Sequence, residues 1–219
     1  MKLMAEPEVR AYEQRPRNAF QIVREAGEYF MERGDIYQTL RDLARDLNDA
    51  EIPYAVLGAI ALAQHGLARM TMDIDILLTP DGLSAFQSRY VGRGYVAAFP
   101  GAEKTFRAAG TGVRIEVITT GEYPGDGRPK PVSFPNPLEA SMDAGGLRVI
   151  TLESLIELKL ASGMTAAHRR RDLADVQDLL RTLRLPPEFA GRLDSSVRAK
   201  YHEIWEEAQT ADPFDEGQT

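Results

Sequence analysis

Tyr54 to Leu78 reads YAVLGAIALAQHGLARMTMDIDILL, and the fold follows from how this stretch is punctuated. Tyr54 to Leu57 is a short apolar run, long enough for a buried strand, and Gly58 ends it. Ala59 to His65 reads as a short helix with Gly66 as its C-terminal stop. Met72 to Leu78 is a second strand, in which Asp73 and Asp75 alternate with Ile74 and Ile76. Side chains alternate faces along a strand, so the two aspartates point the same way, with Cα atoms about 6.6 Å apart. Two carboxylates held together repel unless a cation lies between them. A divalent ion that favours oxygen ligands and shares them with substrate phosphates, Mg²⁺ or Mn²⁺, answers that need. Gly58 supplies a complementary feature, because without a Cβ it lets a phosphate approach the backbone. It also opens a helix, where free N–H groups favour an anion.

Elements on either side extend the pattern. Tyr37, Leu40, Leu43, Ala44 and Leu47 fall on one face of a helix that precedes the quoted stretch. A further helix is expected over Phe20 to Phe30, with Gly34 as its stop. Thr79 and Pro80 form an N-cap and first-turn pair for a helix carrying Leu83, Phe86 and Tyr90. Tyr95–Phe99, Thr105–Ala109, Val113–Ile118 and Leu147–Ile150 read as strands, with a hairpin turn at Gly110–Gly112. Gly121 to Pro137 is rich in Pro and Gly and reads as a surface loop. Beyond Thr151 the chain is helical: one helix carries Leu155, Ile156 and Leu160, a second starts near Arg169, and the last carries Tyr201, Ile204 and Trp205. The expected class is α/β (α+β), a mixed β-sheet flanked by helices. The expected division is an N-terminal helical extension over 1–35, a core over 36–150 and a C-terminal helical bundle over 151–219.

A third acid stands in Val113-Arg114-Ile115-Glu116-Val117. Arg114 and Glu116 share a face, opposite the apolar positions, so Glu116 is available to the aspartate pair as general base, metal ligand or both. The alternative is a half-exposed residue paired with Arg114. His65 is expected to orient the helix end before Gly66. Arg69 and Thr71, just before the acidic strand, are candidates for the nucleotide, Arg69 equally for anchoring the loop. Lys159, between apolar helix positions, snorkels to the surface or meets phosphate. Arg169, Arg170 and Arg171 open a helix and either pair with Asp172 and Asp175 or grip phosphate.

The block Leu57-Gly58-Ala59, His65-Gly66, Arg69, Thr71, Asp73-Ile74-Asp75 resembles the DNA polymerase β-type nucleotidyltransferase superfamily. Within it, the block is most similar to the bacterial abortive-infection and MenT-like toxin nucleotidyltransferases. Leu155–Ala161 followed by Arg171–Val176 is similar to the helical signature of the same group, and the likeness spans roughly residues 36 to 182. The resemblance implies a metal-dependent transfer of a nucleoside monophosphate from a nucleoside triphosphate to a hydroxyl, with tRNA or protein as favoured acceptor and an antitoxin as possible partner. It implies catalytic and metal-binding roles for Asp73, Asp75 and Glu116. It places Gly58, Ala59, Arg69, Thr71, Lys159 and Arg171 on the nucleotide, Lys159 facing the triphosphate. Two positions depart from the pattern: Ala59 stands where Gly or Ser is usual, and Glu116 where Asp is usual. A catalytically degenerate nucleotide- or partner-binding member is the alternative they raise.

Composition narrows the rest. The chain of 219 residues has no cysteine, which excludes disulfides and cysteine-ligated zinc. A net charge of -7 argues against coating nucleic acid by overall attraction and fits clustered acids with local positive charge. The first 17 residues carry no apolar signal core, and no apolar run reaches the roughly 20 residues of a membrane span. A soluble cytoplasmic protein without membrane attachment is the expectation.

Overall fold

The computed structural model describes residues 34–210, and the helix expected over Phe20–Phe30 lies outside them. Helix α1 (Asp35–Asp49) leads into β1 (Tyr54–Val56), α2 (Gly58–Gln64) and β2 (Asp73–Leu78). Helix α3 (Pro80–Tyr90) follows, then β3 (Tyr95–Ala97), β4 (Thr105–Ala108) and β5 (Arg114–Thr119). The hairpin of β6 (Ser141–Ala144) and β7 (Leu147–Ile150) precedes α4 (Leu152–Thr165), α5 (Arg170–Leu183) and α6 (Ser195–Gln209). Two short 3₁₀ segments, Ala167–Arg169 and Pro187–Arg192, join the last three helices.

The strands form one mixed seven-stranded sheet in the order β3-β4-β5-β2-β1-β7-β6. β2 is central, antiparallel to β1 and parallel to β5. The expected α/β class and mixed sheet are therefore observed. The reason for the centre lies in sequence: Ile74, Ile76 and Leu78 alternate onto one face, where each is at most 1% exposed. Register carries Ile115 beside Ile74 and Phe106 beside Ile115, so that face is apolar across three strands. Helices α1 and α3 contact it, and Phe86 of α3 sets its ring 5.3 Å from Phe106 and 5.1 Å from Tyr95.

Local chemistry fixes the helix ends. Thr79 Oγ1 accepts from Gly82 N at 3.0 Å, with Pro80 in the first turn. Thr151 Oγ1 accepts from Ser154 N at 3.4 Å, each cap satisfying one orphan donor. In α6, Tyr201 is fully buried and donates to Pro186 O, and Trp205 Nε1 donates to Leu185 O. Both pack into the connected core, which runs from Tyr37 to Ala208.

One strand had no counterpart in the sequence reading. β6 is a four-residue edge strand, half exposed, with no apolar alternation. Its signal is the turn after it: Gly145 and Gly146 both have positive φ and join β6 to β7 as a two-residue hairpin.

Candidate active site

The second face of the sheet, away from α1 and α3, bears the acids. Asp73 and Asp75 lie beside Arg114 and Glu116 in the parallel β2–β5 register. Asp73, Asp75 and Glu116 each offer a carboxylate oxygen, and the three oxygens lie within 4.8 Å of one another. The structure thus brings together three acids that sequence places on two separate strands.

Gly58 closes the site from the β1 side. It has φ of 61°, and a Cβ built there would meet Asp75 Oδ2 at 2.0 Å. A side chain is excluded twice over, by backbone conformation and by the carboxylate lying against the Cα. Leu57 N donates to Asp75 O, which fixes β1's end against the acidic strand. The amides of Gly58 and Ala59 belong to the first turn of α2, which has no intrahelical acceptors for them.

Thr71 holds Asp73 directly. Its hydroxyl donates to Asp73 Oδ1 at 2.7 Å and lies 3.1 Å from Asp73 O. Asp75 is under stress of the opposite kind. Burial, then the charges of Asp73 and Glu116, push its carboxyl from 3.8 up to about 6, while Lys159 and Arg169 partly offset this. Three crowded oxygen donors, one of them ionised only at a cost, fit a hard divalent cation such as Mg²⁺ or Mn²⁺.

A cleft of about 900 Å³ opens over the acids, at the upper end of small-ligand sites. Leu155, Leu158, Lys159 and Ser162 of α4 form one wall. The loop after β5 adds Glu122, Tyr123 and Phe134. The approach to α5 adds His168, Arg169 and Arg171. The 121–137 segment expected as a surface loop is therefore also a cleft wall. It is tied down: Gly121 N donates to Phe134 O at 2.8 Å, and Lys130 donates to Pro124 O and Thr165 Oγ1.

Lys159 and Arg69 line the cleft but have protein partners. Lys159 Nζ donates to Asp172 Oδ1 at 3.0 Å and Asp175 Oδ2 at 2.7 Å. Arg69 Nη1 reaches both Asp175 oxygens, at 2.7 and 2.6 Å. Ser162 Oγ completes the group by donating to Asp172 Oδ2 at 2.6 Å. Asp175 is 4% exposed, so this is a buried network joining the approach to β2 with α4 and α5. The Arg69–Asp175 pair ties the segment before β2 to α5.

Among the described residues, Arg169 and Arg171 have no side-chain hydrogen bond or ion pair. Arg170 and Arg171 lie in the first turn of α5, where the helix dipole disfavours cations. Sequence reading named Arg171 for the nucleotide. Arg169 was visible only as one member of a basic run. His65 lies outside the cleft's lining, and its Nε2 bonds Ile150 O at 2.8 Å, linking the end of α2 to β7.

The fold has parallels among solved structures. ANT(2'')-Ia in complex with adenylyl-2''-tobramycin matches with a TM-score of 0.50 at 11% identity, over 77% of this chain and 97% of that one. An antigenic nucleotidyltransferase-like protein from Paracoccidioides brasiliensis matches with a TM-score of 0.50 at 17% identity, over 78% and 87%. The fold is the nucleotidyltransferase fold. No family model and no curated protein matches the sequence. The likeness is thus one of architecture, a mixed sheet flanked by helices.

Proposed function

We propose that this chain is a metal-dependent nucleotidyltransferase that moves a nucleoside monophosphate from a nucleoside triphosphate to a hydroxyl acceptor. The observation that carries the reading is the convergence of Asp73, Asp75 and Glu116 within 4.8 Å, against a glycine that has no room for a side chain. Mg²⁺ or Mn²⁺, held by Asp73, Asp75 and Glu116, would supply positive charge to the phosphates and lower the cost of charge developing on them.

The protein groups divide the remaining work. Thr71 fixes the Asp73 carboxylate through its 2.7 Å hydrogen bond. The Gly58 and Ala59 amides, with Arg169 and Arg171, face the leaving pyrophosphate. Lys159 holds Asp172 and Asp175 and keeps the wall of the cleft in register, with its charge directed toward the triphosphate end. Glu116 receives the acceptor's proton as its oxygen attacks the α-phosphorus. The bond to the β-phosphate breaks on the opposite side, and pyrophosphate leaves.

We favour tRNA or protein over a small amino sugar such as tobramycin as acceptor, because the sequence block most resembles toxin-type enzymes. In that setting the protein is cytoplasmic and is restrained by an antitoxin partner. Among the described residues no helix is long and apolar enough to cross a membrane. Two features support a second reading, a nucleotide-binding module without turnover: Glu116 is engaged by Arg114 at 3.2 Å, and Ala59 brings no hydroxyl.

Incubation with labelled nucleoside triphosphates, Mg²⁺ and bulk tRNA or lysate protein decides between them. Labelled acceptor with wild type, and none with Asp73→Ala plus Asp75→Ala, is the expected result. Equal labelling by both would remove the transferase reading. Nucleotide binding without pyrophosphate release would favour the module. Induced expression should arrest growth with wild type and spare it with the double variant.

A further inference from the structure

We infer that the nucleobase of the bound triphosphate stacks on Phe134, in an apolar slot closed by the loop after β5, and that this slot selects by ring size, so that purines bind ahead of pyrimidines. This rests on the nucleotidyltransferase reading and deepens it by naming a specificity residue and a class of nucleotide.

The cleft changes character along its two central strands. Asp73, Asp75 and Glu116 lie in the first halves of β2 and β5. Two residues past Glu116, on the same face, stands Ile118, beside the buried Leu77. Ile118 lines the cleft, as do the buried Leu155 and Leu158 of α4. Phe134 and Tyr123 of the loop add two rings to this lining. About 6.6 Å separates the Cα atoms of Glu116 and Ile118, so a nucleotide with its α-phosphate at the acids reaches the apolar end with its base. Its triphosphate tail lies with the Gly58 turn, Arg169 and Arg171.

The loop makes this end a slot and not an entrance. Gly125 has φ of 77°, and a Cβ there would collide with Thr165 Oγ1 and Ser162 O, so the loop lies directly on the end of α4. Lys130 Nζ fastens it by donating to Pro124 O, Asp126 Oδ1 and Thr165 Oγ1. A macromolecular acceptor needs an open approach, whereas a flat ring fills a closed slot. Phe134 is held from both sides: its O accepts from Gly121 N and its N donates to Glu122 O, each at 2.8 Å. The side chain packs against the core yet is only half-buried, and no aromatic ring partners it among the described residues. A stacked base would cover the surface it leaves to water.

The polar groups nearby offer little for reading a base edge. Glu122 commits its carboxylate to Lys104 and Thr119 N. Pro124 O accepts from Lys130, and Pro135 O from Thr120. The Tyr123 hydroxyl has no partner among the described residues; it both donates and accepts, which serves adenine and guanine alike. Stacked area is what then separates the bases, and it is larger for purines.

Calorimetry on the full chain tests this, with Mg²⁺ and each of ATP, GTP, CTP and UTP, and with magnesium tripolyphosphate as a probe that lacks the base. Phe134→Leu keeps the apolar packing and removes the flat face, and Phe134→Tyr keeps the ring; melting curves check that both fold. Wild type is expected to bind ATP and GTP within about threefold of each other, and at least about fivefold more tightly than CTP or UTP. Phe134→Leu should weaken ATP and GTP roughly 10- to 100-fold, with tripolyphosphate affinity unchanged and Phe134→Tyr close to wild type. The purine preference is read on wild type and does not depend on any variant folding. Full ATP affinity in folded Phe134→Leu, an equal loss for tripolyphosphate, or tighter binding of CTP or UTP by wild type would overturn the inference and leave the transferase reading standing. Failure of wild type to bind either nucleotide or tripolyphosphate with Mg²⁺ would instead remove the transferase reading and this inference together.

Discussion

Asp75→Asn should make the metal-free protein more stable while abolishing its chemistry. The carboxyl of Asp75 is pushed from 3.8 to about 6 by burial and by the charges of Asp73 and Glu116. The folded state therefore binds this proton more tightly than the unfolded chain does. Asp75's contribution to stability is then fully present below pH 3.8 and is lost as pH rises through 6, because the folded state holds a proton that the unfolded state has lost. Above that window the ionised carboxylate costs about 3 kcal/mol, at about 1.4 kcal/mol per tenfold change in proton affinity. Asparagine keeps the shape against Gly58 and carries no charge, so it escapes this cost. In EDTA, chemical denaturation should show Asp75→Asn ahead of wild type by about 3 kcal/mol at pH 8 and by about half that at pH 5. In melting temperature the pH 8 gap is about 9 °C for a chain of this size. Saturating Mg²⁺ should close most of the gap by stabilising wild type alone, about 2.7 kcal/mol at a hundredfold excess over Kd. A variant no more stable than wild type at pH 8, or a gap that ignores pH, would refute the reasoning.

Three further outcomes follow from the same geometry. Mg²⁺ affinity, read by calorimetry, should be flat above about pH 7 and fall roughly tenfold per pH unit well below 6, as Asp75 retains its proton. Gly58→Ala should abolish metal–nucleotide binding and lower stability by about 1–3 kcal/mol, because its Cβ would meet Asp75 Oδ2 at 2.0 Å at a φ of 61°; a variant with wild-type calorimetry and denaturation curves would contradict this. Asp175→Ala should destabilise by about 3–5 kcal/mol, since it strips Arg69 and Lys159 of a buried partner, and adding Lys159→Met should recover part of the loss in a double-mutant cycle.

The parts of this site that were legible in sequence are those encoded locally. Asp73 and Asp75 share a face because strand geometry has a period of two, and Gly58 is marked by its position between an apolar run and a helix. The caps at Thr79 and Thr151 are local chemistry as well. Glu116 was legible only as a same-face acid on a later strand; its place beside Asp75 depends on β5 pairing parallel to β2, a tertiary fact. The network of Arg69, Lys159, Asp172 and Asp175 shows the same limit. All four residues stand out in the sequence, yet the 106-residue separation between Arg69 and Asp175 hides their contact. β6 escaped because an exposed edge strand needs no apolar alternation. The loop after β5 reads as surface loop from its Pro and Gly content, and composition does not say which surface it covers.

The central claim concerns a cation among three carboxylates, and anomalous diffraction tests it most directly. Crystals soaked with Mn²⁺ and a non-hydrolysable nucleoside triphosphate should show a manganese peak about 2.1 Å from oxygens of Asp73 and Asp75, with Glu116 turned toward it and the phosphates beside Gly58. A map at saturating Mn²⁺ with no peak there, or with nucleotide bound elsewhere while Glu116 stays on Arg114, would contradict the account.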